Sequence, residues 1–337
     1  MVLNIVLVIV GIALVLIGAD KMTDGASSIA KKMNISEMVV GLTVVAMGTS
    51  APELVVSLMS ALKGTPDLAV GNVVGSNIFN TLMIVGVTAM VCPMVISKST
   101  VNKDIPFAVV SSLLLLIFAF DKDIARWESI ILFLGFIFFM IYTLRQAKAN
   151  PADAATGDGE EIKDLPWWQA ITYVVLGIAG LIFGSNLFVD HASAIAEAMG
   201  VSKAVIGLTI VAGGTSLPEL VTSVVAARKG QSALAIGNVI GSNVFNILMI
   251  LGLTGIICPM APQDITVLDL GVMLGSMLLL WFFTYTKYKV EHWEGAVLTA
   301  IIVAYMGWLV YGAITGAQLT GSTAEACGIQ PFIEINF

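Results

Sequence analysis

Two glutamates occupy matching positions inside long apolar stretches of the sequence. Glu53 lies in "GTSAPELVVS" and Glu219 lies in "GTSLPELVTS". An ionisable side chain at bilayer depth costs about 2.5–3.5 kcal/mol even on lenient insertion scales, so such residues usually serve a function. No lysine or arginine lies inside the core of a predicted helix to neutralise them. The two carboxylates are therefore the first candidates for a chemical role.

The residues around each glutamate offer further oxygen atoms. A proline precedes each glutamate, and proline inside a helix removes a hydrogen-bond donor and clashes with the carbonyl four residues earlier. We therefore expect a helix break that turns backbone carbonyls inward, as irregular backbone at membrane depth must line a site. The backbone carbonyl oxygens expected to face the site are those of Ala46, Thr49, Ala212 and Thr215. The facing helices carry serine and asparagine at i, i+4 spacing, namely Ser76, Asn80, Ser242 and Asn246.

This set of carboxylate, carbonyl, hydroxyl and amide oxygens contains no histidine or cysteine. Hard oxygen ligands suit Ca²⁺ and other hard cations, whereas zinc and copper prefer nitrogen and sulfur. Two ionised carboxylates carry a charge of −2, which matches a divalent ion. The pattern thus predicts a Ca²⁺ site, and nothing in it requires a cofactor.

Composition indicates a polytopic membrane protein that does not act on nucleic acid. The 337 residues are 58% hydrophobic and only 12% charged, and apolar stretches long enough to cross a bilayer recur from end to end. The formal net charge of −7 provides no basic face for nucleic acid. His191 and His292 lie at helix flanks, so neither is placed to serve an intramembrane hydrolase. We expect no enzymatic activity.

The sequence consists of two copies of one internal repeat. Residues 41–86 superpose on residues 207–252 with most positions identical, and "AVGNVVGSNIFN" falls on "AIGNVIGSNVFN". Apolar stretches predict five helices in each half, at 2–19, 34–62, 67–92, 104–120 and 126–146, then at 167–189, 200–229, 232–258, 265–285 and 292–314. The predicted organisation is a first five-helix repeat over 1–146, a linker over 147–166, a second repeat over 167–314 and a tail of unknown role over 315–337.

The distribution of basic residues predicts the orientation. The loops after odd-numbered helices hold most of the lysines and arginines, so they should face the cytoplasm. The linker is then cytoplasmic, and both termini are extracytoplasmic. Because each half has an odd number of helices, the second half enters the membrane from the opposite side. The predicted fold class is therefore an all-α polytopic membrane protein of ten helices in two inverted repeats, an architecture typical of secondary transporters.

The depth of the glutamates follows from a short turn. Helices 2 and 3 form a hairpin around "KGTP" at 63–66, and Glu53 lies as far before its centre as Ser76 lies after it. At 1.5 Å per residue, both should lie roughly 15 Å inside the membrane boundary. The same arithmetic sets Glu219 level with Ser242. We expect the two carboxylates to meet near the bilayer midplane.

The paired "GTSxPE" and "GNxxGSNxFN" blocks resemble the two α-repeats of the calcium/cation antiporter superfamily, specifically the prokaryotic sodium/calcium exchangers. The resemblance implies exchange of Na⁺ for Ca²⁺ by alternating access across a prokaryotic cytoplasmic membrane. It makes Glu53 and Glu219 the shared ion ligands. Further oxygens would come from Thr49, Ser50, Thr215, Ser216, Ala46 and Ala212. The flanking Na⁺ sites, or the water beside them, would be lined by Ser76, Ser242, Asn80 and Asn246.

One departure from the family pattern concerns the amide positions. Some relatives, including potassium-dependent exchangers, carry aspartate where this sequence has Asn80 or Asn246, so the case for potassium co-transport is weakened. A proton-coupled Ca²⁺ antiporter is the nearest alternative, because the same carboxylates could exchange protons. A cation channel is a third possibility, although a pore would not need ligands duplicated in inverted halves. The expected partners are the two ions and the lipid bilayer, without nucleic acid or an obligate protein partner.

Overall fold

The computed structural model describes residues 1–149, 163–201, 206, 210–263 and 265–327, and nearly all of these are helical. The helices are α1 (Val2–Met33), α2 (Glu37–Thr49), α3 (Ala51–Leu62), α4 (Pro66–Val91), α5 (Thr100–Phe118), α6 (Arg126–Ala149), α7 (Trp167–Ala198), α8 (Ala212–Thr215), α9 (Leu217–Arg228), α10 (Ser232–Ile257), α11 (Val267–Lys287) and α12 (His292–Cys327). The predictions for most of the linker, for the start of the seventh predicted helix and for the end of the tail lie outside the described residues.

The chain is a multi-pass membrane protein. Among the described residues, eight helices are long and apolar enough to cross a membrane, and α2 with α3 forms a ninth span bent by 48°. The most apolar windows of α4 and α10 are 72% and 78% buried, whereas that of α1 is 22% buried. The two repeat-equivalent helices α4 and α10 therefore form the centre, and α1 presents much of its surface to lipid.

The predicted end of the first helix at residue 19 is wrong, because α1 continues to Met33. Its polar second half is stabilised by ion pairs. Asp24 is 6% exposed and accepts hydrogen bonds from Lys229 Nζ at 2.8 Å and from Lys163 Nζ at 2.7 Å. Lys229 also pairs with Asp20 at 2.7 Å. The bond to Asp24 raises the pKa of Lys163 above its usual value. Hydropathy alone could not show these partners, which come from distant parts of the chain.

Two further helices also continue beyond their predicted ends. The helix predicted over 167–189 reaches Ala198 as α7. The helix predicted over 292–314 continues to Cys327 as α12, so the first part of the predicted tail is helical. In each case the apolar stretch ends before the backbone hydrogen bonding does, because small and polar residues extend a helix without adding hydropathy.

Glycines bring α1 and α7 into antiparallel backbone contact. A Cβ on Gly11 would lie 2.8 Å from the carbonyl oxygen of Gly184, and a Cβ on Gly18 would lie 2.8 Å from that of Gly177. The residue numbers fall along one helix as they rise along the other. A side chain larger than hydrogen at these crossings would separate the two helices.

A second close contact joins α2 to α10. A Cβ on Gly237 would lie 2.8 Å from the carbonyl oxygen of Met38, and one on Gly241 would lie 2.7 Å from the Cα of Leu42. The numbers rise together, so these two helices run parallel. The small residues of the "GNxxG" segment in the second half thus fix a central helix against the first half.

The described loops gather at opposite ends of the central helices α4 and α10. At one end, β1 (Met94–Val95) pairs antiparallel with β2 (Lys289–Val290), which joins the loop after α4 to the loop after α11. At the other end, Ile124 pairs with Met260, and Cys258 Sγ donates to the carbonyl oxygen of Ala61 at 3.3 Å. Loops on alternate connections therefore lie together, as expected when successive helices cross the membrane in opposite directions.

Replacing Gly18 with alanine should destabilise the protein. The new methyl group would lie 2.8 Å from the Gly177 carbonyl oxygen, so the helices must separate. Overpacking of this kind costs about 1–3 kcal/mol, which corresponds to a fall of about 5 °C in Tm. Gly271→Ala is the matched control, because no described atom lies within 4 Å of its Cβ position. Thermal unfolding in detergent measures both, and equal Tm values would contradict the proposed helix contact.

Candidate ion-binding site

The two glutamates are buried at the starts of equivalent helices. Glu53 lies in the first turn of α3 and Glu219 in the first turn of α9, and each is 1% exposed. Ser50 and Ser216 precede these helices with non-helical backbone angles, and a proline follows within the first two helical positions. The positive end of a helix dipole favours a carboxylate in the first turn. The predicted helix break therefore also supplies electrostatic stabilisation for the glutamates.

A direct hydrogen bond joins the two halves at this site. Ser50 Oγ donates to Glu219 Oε1 at 2.9 Å. Glu53 and Glu219 are also close enough for their negative charges to repel each other. The equivalent serine of the second half, Ser216, is fully buried, and its hydroxyl has no hydrogen-bond partner among the described residues. The sequence repeat is nearly symmetric, whereas the hydrogen bonding at its centre is not.

Seven of the sixteen buried side-chain oxygens that lack a hydrogen-bond partner in the described part of the chain belong to predicted ligands. Leaving a buried polar atom unsatisfied costs about 1–3 kcal/mol, so a cluster of them needs a ligand or a proton. Six of the predicted ligands contribute. The atoms are Glu53 Oε1, Glu53 Oε2, Glu219 Oε2, Asn80 Oδ1, Asn246 Oδ1, Ser216 Oγ and Ser242 Oγ.

Four asparagines, which we call the asparagine quartet (Asn77, Asn80, Asn243 and Asn246), link α4 to α10 reciprocally. Asn80 Nδ2 donates to Asn243 Oδ1 at 3.1 Å, and Asn246 Nδ2 donates to Asn77 Oδ1 at 3.0 Å. Asn77 Nδ2 also donates to the Asn243 carbonyl oxygen at 3.1 Å. Because the amide nitrogens of Asn80 and Asn246 are used in these bonds, their oxygens remain available as ligands.

Both of these available amides lie in wider helical turns. Asn80 begins a π-helical turn at Asn80–Ile84 in α4, and Asn246 lies in another at Phe245–Leu251 in α10. Such turns are rare and occur frequently at functional sites, because the extra residue redirects side chains. The sequence pattern gave no signal for these turns.

A second pair of asparagines braces each helical hairpin. Asn72 Nδ2 donates to the Glu53 carbonyl oxygen at 3.2 Å and to Ser57 Oγ at 2.9 Å. Since Asn72 lies as far after the turn as Ser57 lies before it, these bonds confirm the hairpin register expected from the sequence. Sequence reasoning did not identify these braces. An asparagine occurs at the same position of both repeats, as Asn72 and Asn238, and this repetition is the sequence signal that could have identified the two braces.

The second hairpin repeats the brace. Asn238 Nδ2 donates to the Glu219 carbonyl oxygen at 3.3 Å and to Ser223 Oγ at 3.0 Å. Asn238 Oδ1 also accepts from Thr49 Oγ1 at 3.1 Å, so the brace of one half holds a predicted ligand of the other. Equivalent asparagines therefore fix the two glutamate-bearing turns in position.

The structure corrects one expectation about the backbone carbonyl oxygens of the site. The carbonyl oxygen of Ala46 is not freed by the helix break, because it accepts from Ser50 N at 3.0 Å and lies 3.4 Å from Thr49 Oγ1. The break is local, and the hydrogen bond that Pro52 cannot make concerns a different carbonyl. The hydroxyl of Thr49 is likewise engaged in hydrogen bonds rather than available.

The remaining predicted ligands lie on the expected elements. Ser76 is 6% exposed in α4. Ala212 and Thr215 are the first and last residues of α8. No group of three or more histidine, cysteine, aspartate or glutamate side chains occurs within metal-binding distance among the described residues. A cation here would thus be held by two carboxylates and neutral oxygens.

Comparison with known proteins identifies the family. The sodium/calcium exchanger protein family model matches residues 3–145 and 169–311. The chain belongs to the sodium/calcium exchanger family. The two matched segments correspond closely to the two sequence repeats, and family membership makes the chain a membrane transporter of the antiporter class.

Individual relatives agree with this assignment. The chain is 39% identical to the putative antiporter CaxA of Alkalimonas amylolytica over 307 residues, covering 89% of this chain and 96% of the relative. It is 34% identical to the sodium/calcium exchanger MaX1 of Methanosarcina acetivorans, with 91% and 99% covered. A structure of the sodium-calcium exchanger NCX_Mj soaked with Na⁺ and Ca²⁺ superposes with a TM-score of 0.80 at 28% identity, with 91% and 98% covered.

Asn77→Ala should destabilise this exchanger-family protein by leaving the buried Asn246 amide unpaired. The expected cost is about 1–3 kcal/mol, measured by thermal unfolding in detergent. Asn102→Ala is the control, because Asn102 is exposed and its replacement should change stability by less than about 0.5 kcal/mol.

A double-mutant cycle separates the quartet from general packing. Asn77→Ala combined with Asn246→Ala should cost less than the sum of the single changes, because the pair is removed together. Strict additivity of the two changes would contradict the reciprocal hydrogen bonding.

Proposed function

We propose that the chain is a secondary active antiporter that exchanges Na⁺ for Ca²⁺, with the ions bound between the two halves near the bilayer midplane. The observation that carries the proposal is the cluster of buried, unpartnered oxygens around Glu53 and Glu219. Its members come from both halves of the chain, so relative movement of the halves can alter access to the bound ion. The names of the relatives MaX1 and NCX_Mj support the choice of ions.

The charge of the proposed site matches this exchange. Two ionised glutamates balance one Ca²⁺, and Ca²⁺ accepts six to eight oxygen ligands in flexible arrangements. Na⁺ carries less charge and can use neutral oxygens, which Asn80 and Asn246 offer without adding negative charge. The proposed ligands are Glu53, Glu219, Ser50, Ser216, Thr49, Thr215, Ala46, Ala212, Ser76, Ser242, Asn80 and Asn246. Because Ala46 and Thr49 are engaged in hydrogen bonds, they would have to contribute a remaining lone pair.

We propose that the fold is a ten-helix inverted repeat. The first repeat spans 1–146 and the second spans 167–314, joined by a cytoplasmic linker over 147–166, with the tail over 315–337 outside. The antiparallel contact between α1 and α7 supports the inversion, as do the loops gathered at opposite ends of α4 and α10. The reciprocal bonds of the asparagine quartet support a two-fold relation at the centre.

We place the protein in the cytoplasmic membrane of a prokaryote with both termini extracytoplasmic. The excess of basic residues in the loops after odd-numbered helices supports this orientation. The inner membrane protein YrbG of Escherichia coli, 37% identical over 266 residues, supports the location. The substrates account for the site without a cofactor, an obligate protein partner or nucleic acid.

Proton-coupled Ca²⁺ exchange is the competing function. The observation that favours it is the burial of both glutamates. A carboxyl group without a basic partner in a buried site can bind a proton in place of a cation. The two mechanisms predict different dependence on the imposed gradient.

Transport in proteoliposomes tests the proposal. With internal Na⁺ and no pH gradient, ⁴⁵Ca²⁺ uptake should be rapid, and a pH gradient at equal Na⁺ should drive none. Glu53→Gln and Glu219→Gln should each reduce the Na⁺-driven uptake at least 100-fold, because losing one of two charges from a dehydrated Ca²⁺ shell cannot be offset by neutral oxygens.

Asp123→Asn is the matched control, because it removes an exposed acid between α5 and α6. Its uptake should equal that of the unmodified protein. Uptake driven by the pH gradient alone would replace the proposal with proton coupling. Near-normal uptake by either glutamate variant would remove that residue from the site.

A further inference from the structure

Three separate parts of the chain meet at Asp24, in the polar half of α1. Asp24 is 6% exposed, and its two carboxylate oxygens accept hydrogen bonds from different lysines. Lys229, which directly follows α9 in the second half, donates to Oδ1 at 2.8 Å. Lys163, at the end of the linker, donates to Oδ2 at 2.7 Å. One buried carboxylate therefore joins the first half, the second half and the linker.

Lys229 is bound to α1 through more than this one pair. Its ammonium group also lies 2.7 Å from Asp20 Oδ1, and it donates to the Asp20 carbonyl oxygen at 2.9 Å and to Thr23 Oγ1 at 3.0 Å. We call these residues the Asp24 cluster (Asp20, Thr23, Asp24, Lys163 and Lys229). The lysine side chain that follows α9 is only 16% exposed. Removing one partner of a buried ion pair is far more costly than breaking an exposed pair, so the cluster holds α1 firmly against α9.

The end of the linker lies along one face of α1. Asp24, Ser28 and Lys32 are spaced four residues apart, so they share that face. Leu165 N donates to Ser28 Oγ at 3.1 Å, and Lys32 Nζ donates to Asp164 Oδ1 at 2.6 Å. Together with the lysine described above, three consecutive linker residues contact three successive turns of the helix.

The second half keeps only part of this arrangement. At the repeat offset, Asp24 and Lys229 correspond to Asp190 and Lys63, whereas the serine and the lysine that contact the linker correspond to alanines. Asp190 and Lys63 are both exposed. The two equivalent pairs would lie at opposite ends of an inverted repeat. Equivalent charges are therefore largely buried at one end of the molecule and exposed at the other.

Helix α9 connects the Asp24 cluster to the proposed ion site. Glu219 lies in the first turn of α9, and Lys229 is the C-cap residue of the same helix. A rise of 1.5 Å per residue puts their backbones about 15 Å apart along one continuous helix. A displacement of α9 relative to α1 therefore moves the lysine and the glutamate together.

We propose that the Asp24 cluster is a latch that closes this side of the protein, and that opening the ion site to this side requires Lys229 to leave Asp24. The proposal rests on the proposed function for alternating access, and the orientation given above makes this side cytoplasmic. An exchanger keeps one side closed while the other is open, and the exposed equivalent pair on the opposite side agrees with this requirement. Because the linker contributes Lys163, the linker favours the closed state.

Distances between spin labels test the latch without any transport. Lys31→Cys and Arg228→Cys, in a background without the three native cysteines, place labels at exposed positions near the ends of α1 and α9. Pulsed electron paramagnetic resonance should then give one main distance. Adding Asp24→Asn or Lys229→Met should produce a second population at longer distance. Adding Asp123→Asn, which removes an exposed acid elsewhere, should leave the distribution unchanged.

The Ca²⁺ dependence of exchange at each face separates a latch from general instability. In sealed vesicles of known orientation, Asp24→Asn should lower the Ca²⁺ concentration for half-maximal exchange at the cytoplasmic face and raise it at the opposite face. The reason is that apparent affinity scales with the fraction of protein open to that face. The ratio of the two concentrations should change about fivefold or more. Lys163→Met, which leaves Lys229 in place, should change the ratio in the same direction by a smaller factor.

Two results would overturn the proposal. One is an unchanged label distance in Asp24→Asn and Lys229→Met proteins that elute normally on size-exclusion chromatography. The other is a loss of Ca²⁺ affinity that is equal at both faces, which indicates general destabilisation. If Asp24→Asn does not fold, Lys229→Met and Lys163→Met decide the outcome. Failure of the proposed function is scored separately, by the absence of Na⁺-driven Ca²⁺ uptake in the unmodified protein, and the label distances then decide the latch alone.

Discussion

Two acidic side chains, Glu53 and Glu219, are buried at the meeting point of the two halves, and the rest of this structure depends on them. Among the described residues, no lysine or arginine forms an ion pair with Glu53 or Glu219, and both side chains are nearly inaccessible. Repulsion between them and the cost of desolvation both oppose folding. In the proposed function a bound cation removes both penalties, so the feature that opposes folding of the unloaded site provides the affinity for the ion.

The surrounding structure holds these charges in place without neutralising them. Helix breaks direct the positive ends of α3 and α9 at the carboxylates. Asn72 and Asn238 fix the backbone of the two glutamates. The asparagine quartet uses the amide nitrogens of Asn80 and Asn246 and leaves their oxygens without a hydrogen-bond partner among the described residues. Close glycine contacts then pack the central helices against their neighbours. Positioning by neutral groups leaves the negative charge available to an ion, which suits a transporter that must bind and release its substrate.

Features that depend on neighbouring residues in the chain could be predicted from the sequence, whereas features that depend on distant residues could not. The repeat and the helix breaks are local patterns, so the position of Glu53 and Glu219 at two helix breaks and the hairpin register could be predicted from the sequence. The length of α1 could not, because its polar half depends on Lys163 and Lys229, which are distant in the chain. The π-helical turns at Asn80 and Asn246 have no signal in the hydrophobic period of the sequence. The carbonyl oxygen of Ala46, expected to be free, keeps a local helical hydrogen bond from Ser50 N.

The location of bound Ca²⁺ relative to the two glutamates tests the central claim most directly. Crystals grown with Ca²⁺ and measured by anomalous diffraction would locate the ion. We predict an anomalous peak about 2.3–2.6 Å from carboxylate oxygens of both Glu53 and Glu219, the usual range for Ca²⁺ ligands. A Ca²⁺ ion coordinated by one glutamate alone, or Ca²⁺ found elsewhere in the protein with none between these two residues, would contradict the account.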